Sequence, residues 1–189
     1  MDSGSSIRTK RLLLRPIARR DGDALLPLIR NWNVVCWLAV VPWPYEAADM
    51  MQFIDEIAMP RAAGPHPVYT VLLDSVPIGT AECRGEAPAD GALGPDAGQL
   101  GYWLGEPYWG RGFATEMAAA LVAHTFANSQ APSIRSGVFV GNDASLAVQR
   151  KLGFDAVDTV PVMCRPRGRE LPLVRTRVMR ERFTRPWSD

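Results

Sequence analysis

The chain has 189 residues, 47% of them hydrophobic, enough for one well-buried core and too few for two large domains. A net charge of only +1 gives no global field favouring nucleic acid or an anionic membrane, so neither partner is expected. Cys36, Cys83 and Cys164 are widely spaced, odd in number and form no Cys-x-x-Cys pair, which argues against a zinc site or a disulfide framework and for a reducing, cytoplasmic setting.

Residues 1–8 read as a flexible tail without the basic and apolar regions of a signal peptide. Arg11 to Ile17 is a short strand candidate that Pro16 should end. Asp21-Gly22-Asp23 can cap a helix carrying Ala24, Leu25, Leu28 and Ile29, with Pro27 marking a late start or a kink. The segment from Asn31 to Tyr45 holds Trp32, Trp37, Trp43 and Tyr45. It reads either as a core-covering helix and turn or as aromatic walling of a substrate cleft, in which case Trp43 and Tyr45 are candidate substrate contacts. Its apolar run, Val34 to Trp43, is too short to span a bilayer.

Glu46 to Met59 is amphipathic, with Met50, Met51, Ile54 and Ile57 at helical spacing, and Pro60, Gly64, Pro65 and Pro67 break it. Val68 to Leu73 and Val76 to Cys83 read as a hairpin turning at Asp74-Ser75. Gly85 to Gly98 offers almost nothing to bury and reads as a mobile loop.

The most informative stretch follows. Gln99 to Leu104 is a buried strand that stops at Gly105-Glu106-Pro107. After Gly110 and Gly112 comes a helical pattern with Ala114, Met117, Leu121, Val122, Thr125 and Phe126 on one side. A strand ending in a glycine loop that opens a helix aims free backbone N–H groups at the positive end of the helix dipole, which suits a phosphate. Side chains at 110 or 112 would hold an anion off, and Thr115 in the first turn can add a hydroxyl. The glycines can equally just shape a tight loop, with Thr115 capping the helix. There is no Gly-Lys-Ser/Thr of a P-loop and no third glycine of a dinucleotide fingerprint.

Ile134 to Val140 is the next strand candidate. Asn142 or Asp143 caps a helix through Leu146, Val148 and Leu152, with Gly153 at its C-terminus. Phe154 to Val160 and Leu173 to Met179 are two last strands. The basic loop Arg165 to Arg169 between them reads as a solvated loop or as a contact for an acidic partner or phosphates. Strands mixed with helices at these spacings indicate a mixed α/β or α+β sheet with helices on its faces, in a single domain over residues 1–189.

Three ordered pieces carry a family resemblance: Gly101-Tyr102-Trp103-Leu104, then Tyr108-Trp109-Gly110-Arg111-Gly112-Phe113-Ala114-Thr115-Glu116, then Asn142-Asp143-Ala144-Ser145 leading to Lys151-Leu152-Gly153-Phe154. A weaker piece is Thr9-Lys10-Arg11-Leu12-Leu13-Leu14-Arg15. Together they resemble the GNAT superfamily of acyl-CoA N-acyltransferases, within it the RimJ/RimL-like ribosomal-protein N-terminal acetyltransferases, and Trp109 suits that branch.

The resemblance implies a mostly antiparallel twisted sheet of about six or seven strands flanked by helices, with splayed central strands. It implies acetyl transfer from acetyl-CoA, without metal, directly to a primary amine of a protein N-terminus or small molecule. Trp109, Gly110, Arg111, Gly112, Phe113, Ala114 and Thr115 are then expected to hold the cofactor's pyrophosphate, and Tyr102, Trp103 and Leu104 its pantetheine arm. Asn142 would lie against that arm, and Ser145 would protonate the departing thiolate. A backbone N–H on the strand would polarise the thioester carbonyl. Direct attack requires no cysteine nucleophile, and a homodimer would be ordinary for such a relative.

The base is the departure. Relatives commonly carry Glu where Gln99 stands, and an amide cannot take a proton at neutral pH, so Gln99 remains only a substrate contact. Glu82 on the preceding strand is the substitute candidate, acting through water. Two other readings stay open: an acyl-CoA-binding regulatory module that has lost its chemistry, and a nucleotide-phosphate enzyme using the same glycine loop.

Overall fold

The computed structural model describes residues 6–58, 68–84 and 98–186. Its backbone forms a single eight-stranded sheet in the order β1-β2-β3-β4-β5-β6-β8-β7. The strands are β1 Ile7–Arg8, β2 Leu12–Pro16, β3 Val68–Leu73, β4 Val76–Arg84, β5 Gly98–Leu104, β6 Ser133–Phe139, β7 Asp155–Cys164 and β8 Arg169–Met179. The helices are α1 Gly22–Ile29, α2 Trp32–Val35, α3 Ala47–Ala58, α4 Phe113–Ala127 and α5 Asp143–Lys151. This is the mixed, mostly antiparallel sheet the sequence implies, with one strand more than expected. The addition is β1, formed by Ile7 and Arg8 inside the presumed tail and paired with Leu14 and Leu13. Residues 1–5, the helix breakers Pro60, Gly64, Pro65 and Pro67, and the expected mobile loop apart from Gly98 lie outside the described residues.

Turn chemistry sets the register where the chain doubles back. Asp74 (φ 49°) and Ser75 (φ 70°) both adopt left-handed backbone conformations between Leu73 and Val76. Such a two-residue turn matches the twist of its flanking strands. Pro16 pairs with Tyr69 as the last residue of β2, so the strand ends where the sequence reading sets its end. Strands β7 and β8 run several residues further towards each other than the sequence pattern suggests. Pro161 sits on the outermost strand, where a missing ladder N–H faces solvent. The basic loop is consequently a tight hairpin tip, Arg165–Arg167 with Gly168.

Strand periodicity divides the core between the two faces of the sheet. On one face Leu12, Leu14, Ile78, Leu100, Leu104 and Ile134 meet Met117, Leu121, Val122 and Phe126 of α4, with Val148 and Leu152 contributed around α5. Helix α4 is covered nearly all round, beyond the single stripe its spacing predicts, with Glu116, Ala118 and Ala119 also buried. Each large aliphatic side chain so enclosed contributes about 1.5–3 kcal/mol. On the other face Leu25 and Ile29 of α1, Met50 and Ile54 of α3 and Tyr45 form a second cluster, and Trp103 reaches in from β5. A third cluster on this face, Phe139, Cys164 and Leu173, meets Trp37 and Ala39.

Candidate active site

The one parallel pair in the sheet is β5 with β6, because the chain crosses over through α4 between them. They pair only at Gly98 with Ile134 and Gln99 with Arg135, whereas β6 stays paired to β8 along its whole length. Beyond Gln99 the two strands therefore part and leave a V-shaped opening. A buried polar chain holds its apex. The Ser136 hydroxyl donates to the Leu100 carbonyl (2.9 Å), Gln149 Nε2 donates to Ser136 Oγ (2.8 Å), and Thr176 Oγ1 donates to Gln149 Oε1 (2.5 Å). In this way α5 is tied to β5, β6 and β8 at once.

Alternate residues of a strand present their main-chain groups to the same side. Leu100 O faces the opening, where Ser136 bonds it, and so does Leu104 O, which accepts from Trp109 Nε1 at 2.7 Å. The N–H and C=O of Tyr102 lie between these two and share their direction. Across the opening the Tyr102 hydroxyl meets Ser145 Oγ at 3.0 Å. Burial pushes the Tyr102 phenol up to about 12, outweighing its bond to Ser145, so the group is a neutral O–H. Ser145 is fixed in turn by the helix cap, in which Asn142 accepts from the Ser145 amide at 3.2 Å.

At the mouth of the V stands the head of α4. A 3₁₀ turn, Glu106–Tyr108, leads into Gly110 (φ 71°) and Gly112 (φ 80°), backbone conformations that side chains rarely adopt. A Cβ on Gly110 would meet no atom within 4 Å, so the loop faces open space there. The first amide with an intramolecular partner is Glu116, which donates to Gly112 O at 3.1 Å. Among the described residues no backbone bond uses the amides from Gly110 to Thr115 as donors. Unpaired N–H groups at the head of a helix are the kind an anion can bind. Thr115 itself is only 4% exposed, so it is enclosed where the sequence reading sets an open donor.

The loop is buttressed from far away in sequence. Glu116, 5% exposed, accepts from Thr9 Oγ1 (2.6 Å), the Arg11 amide (2.8 Å) and Arg11 Nε (2.7 Å). Burial alone would push this carboxyl up, but the bonds from Thr9 and Arg11 prevail and hold it below 4.5. The guanidinium groups of Arg11 and Arg111 both lie over the Phe113 ring, at 4.5 and 4.8 Å. Residue types gave no local signal for this arrangement, since Thr9 and Glu116 stand 107 positions apart.

On the opposite face Glu82 pairs with Gly101, and a Cβ on Gly101 would lie 3.5 Å from Glu82 Oε1. The carboxylate therefore lies directly above the strand that lines the opening. Gln99 is half-buried two register positions away, opposite Arg84 and Arg135. Trp43 is 42% exposed and packs edge-on against Trp32, at 5.3 Å between centroids. Trp37 approaches Gly141, the residue before Asn142, and lies 3.5 Å from where a Cβ on that glycine would sit. Tyr45, by contrast, is 5% exposed in the α1/α3 core, so its ring serves packing where the sequence reading puts it at the cleft. Trp103 likewise turns its side chain to this core, leaving only its backbone in the lining strand.

Sequence reasoning missed what secures this aromatic wall. Glu106 accepts from Asn31 Nδ2 (2.5 Å) and Asn33 Nδ2 (2.8 Å), tying the start of α2 to the turn after β5. Arg167 donates to Cys36 O (3.0 Å) and lies 4.9 Å over Trp37, while Arg165 donates to Val40 O (3.1 Å). Two arginines of the hairpin tip are thus engaged with the wall itself. A buried Asp21 binds Arg15 twice and Thr70 once. Burial raises the Asp21 carboxyl, and those bonds together with the Ala18 amide bring it below 3.8. All three cysteines are buried and free, and burial pushes the Cys83 thiol up to about 12.

A splayed strand pair with unpaired amides at one end and a carboxylate over its other face suits a long anionic thioester meeting a nucleophile from the far side. That is the architecture of an acyl-CoA-dependent acyltransferase, and no cluster of three or more metal-ligating side chains is found among the described residues. The chain belongs to the GNAT acetyltransferase domain family, whose sequence pattern matches residues 11–155. It is similar to an uncharacterized N-acetyltransferase, p20, of Bacillus licheniformis, 26% identical over 79% of this chain and 82% of that protein. Its fold is similar to that of RimL, a ribosomal alpha-N-protein acetyltransferase, in complex with coenzyme A (TM-score 0.76, 19% identity, 93% of this chain and 98% of that one). It is also similar to Mycobacterium smegmatis RimJ in complex with CoA-disulfide (TM-score 0.75, 20% identity, 94% and 87%). No helix among the described residues is long and apolar enough to cross a membrane.

Proposed function

We propose that this protein transfers an acetyl group from acetyl-CoA directly to the primary amine of a protein N-terminus or a small molecule. The observation that carries the reading is the V between β5 and β6, with unpaired amides at its mouth, the Tyr102–Ser145 hydroxyl pair across it and Glu82 above its lining strand. Acetyl-CoA supplies an activated thioester. The amides from Gly110 to Thr115 bind its diphosphate, the main chain of Tyr102 to Leu104 aligns its arm, and Asn142 flanks that arm. The Tyr102 N–H, fixed before the reaction, stabilises negative charge that builds on the carbonyl oxygen. Glu82 takes the amine proton through water, since Gln99 cannot. Ser145 delivers a proton to the departing thiolate, with the neutral Tyr102 O–H next in line.

The acceptor approaches over the Glu82 face, past Trp32, Trp37 and Trp43. The test is to incubate the protein with acetyl-CoA and a panel of peptide N-termini, amino acids and aminoglycoside-like amines while following free thiol. Amine-dependent thiol release is the expected result. Tight CoA binding with no release above hydrolysis for any amine would instead support the regulatory module.

A further inference from the structure

The N-terminal hairpin sends one side chain into the phosphate cradle. Arg11 Nε bonds Glu116 Oε2 and Nη1 bonds the Arg111 carbonyl at 3.0 Å, so two of its three nitrogens are committed to holding the group in place. The third, Nη2, lies 3.3 Å from where a Cβ on Gly112 would sit, beside the left-handed turn of the loop, and bonds no described residue. The side chain is 41% exposed while that of its anchor Glu116 is 6% exposed. A guanidinium thus lies over the Phe113 ring at the rim of the unpaired amides, with Nη2 beside the loop.

The charges explain why it must be there. Glu116 sits in the first turn of α4, and an ionised carboxylate in that place would oppose any anion bound to the same helix end. Paired with Arg11 its charge is cancelled, and the amides and the helix dipole remain to attract. We propose that Arg11 is a diphosphate-binding residue of this site and that Glu116 is the positioning residue that aims it. The proposal rests on the acyl-CoA reading of the loop.

It makes an asymmetric prediction for the two halves of one ion pair. Arg11→Gln removes a charge-assisted bond and exposes the diphosphate to Glu116, weakening CoA binding by about 30-fold or more. Glu116→Gln loosens the aim of Arg11 but also removes a carboxylate from the anion site, so affinity falls less, by about threefold to tenfold, and Tm falls as well. In the double variant the repulsion is gone, and part of the Arg11→Gln loss, about threefold to tenfold, returns. Arg11→Lys does not restore binding, because a single ammonium cannot hold Glu116, the Arg111 carbonyl and a phosphate together.

The experiment is calorimetric titration of the four variants and the wild type with CoA and with dephospho-CoA, alongside thermal unfolding of each. An equal loss for Arg11→Gln with both ligands supports the diphosphate contact. A loss confined to CoA overturns it, by moving the contact to the 3′-phosphate. Equal losses for Arg11→Gln and Glu116→Gln with no recovery in the double variant reduce the pair to a fold latch and overturn the proposal too. Wild-type binding with Arg11→Gln within twofold overturns this proposal alone, whereas a wild type that binds neither ligand overturns the acyl-CoA reading along with it.

Discussion

In the proposed reaction the two sides of the sheet hold cofactor and substrate in opposite ways. The α4 side uses consecutive residues and their backbone: six amides from Gly110 to Thr115, set by two glycines at positive φ. The other side uses side chains brought together from three separate segments: Glu82 of β4, Trp37 and Trp43 between α2 and α3, and Arg167 of the β7–β8 hairpin. A main-chain cradle depends on local conformation, so it tolerates exchange of most side chains but not of the glycines. A side-chain wall depends on distant packing, and single substitutions should erode it without destroying it.

The sharpest way to break the comparison is at Gly112. Valine there would need φ near 80°, which a β-branched residue adopts only at a cost of about 1–3 kcal/mol, and its Cβ would approach Arg11 Nη2 at 3.3 Å. Gly112→Val is expected to remove measurable CoA binding, a loss of more than about 100-fold, while Tm falls by only about 3–10 °C. Calorimetric titration and thermal unfolding check both parts. Unchanged affinity would mean the amides are not the cradle, and a molten protein would mean the loop is needed for folding.

The same contrast explains what was legible in the sequence. The hairpin at Asp74-Ser75, the Asn142 cap and the strand–glycine–helix unit are written in neighbouring residues, because turn and cap chemistry acts over two to four positions. Strand β1 was missed because two residues carry no period, and it exists only through pairing with β2. Arg165 and Arg167 read as solvated charges because their acceptors, Val40 and Cys36, belong to another segment. Tyr45 looked like a cleft residue beside Trp43, yet neighbouring positions in an irregular segment can face opposite ways. Glu116 stood inside a recognised motif, and nothing nearby announced that its partners would be Thr9 and Arg11.

The next largest effects separate chemistry from binding, one on each face. Glu82→Gln should lower kcat by about 100-fold through loss of the proton acceptor, with the CoA dissociation constant unchanged. Ser145→Ala should lower kcat by about tenfold, again with little change in acetyl-CoA affinity, because the Asn142 cap accepts from the Ser145 amide and survives the substitution. Steady-state kinetics with the best amine of the panel, paired with CoA titration, checks both. An unaffected rate removes the residue concerned from the mechanism. A rate lost together with CoA affinity would instead show that the two faces are not independent.

The smallest effect probes the strut between them. Glu106 leaves β5 on the cofactor side and holds Asn31 and Asn33 at the head of the aromatic wall, so it is the residue through which either region could disturb the other. In Glu106→Gln one of the two asparagine amides faces an NH2 in place of an acceptor, a mismatch worth about 1 kcal/mol in a half-exposed position. If the wall alone depends on the strut, the amine KM rises by about twofold to fivefold while CoA affinity holds, because Trp109 still fastens the loop to Leu104 O. A parallel fall in CoA affinity would show that α2 also braces the loop, and the cradle would then owe its shape to more than its own glycines.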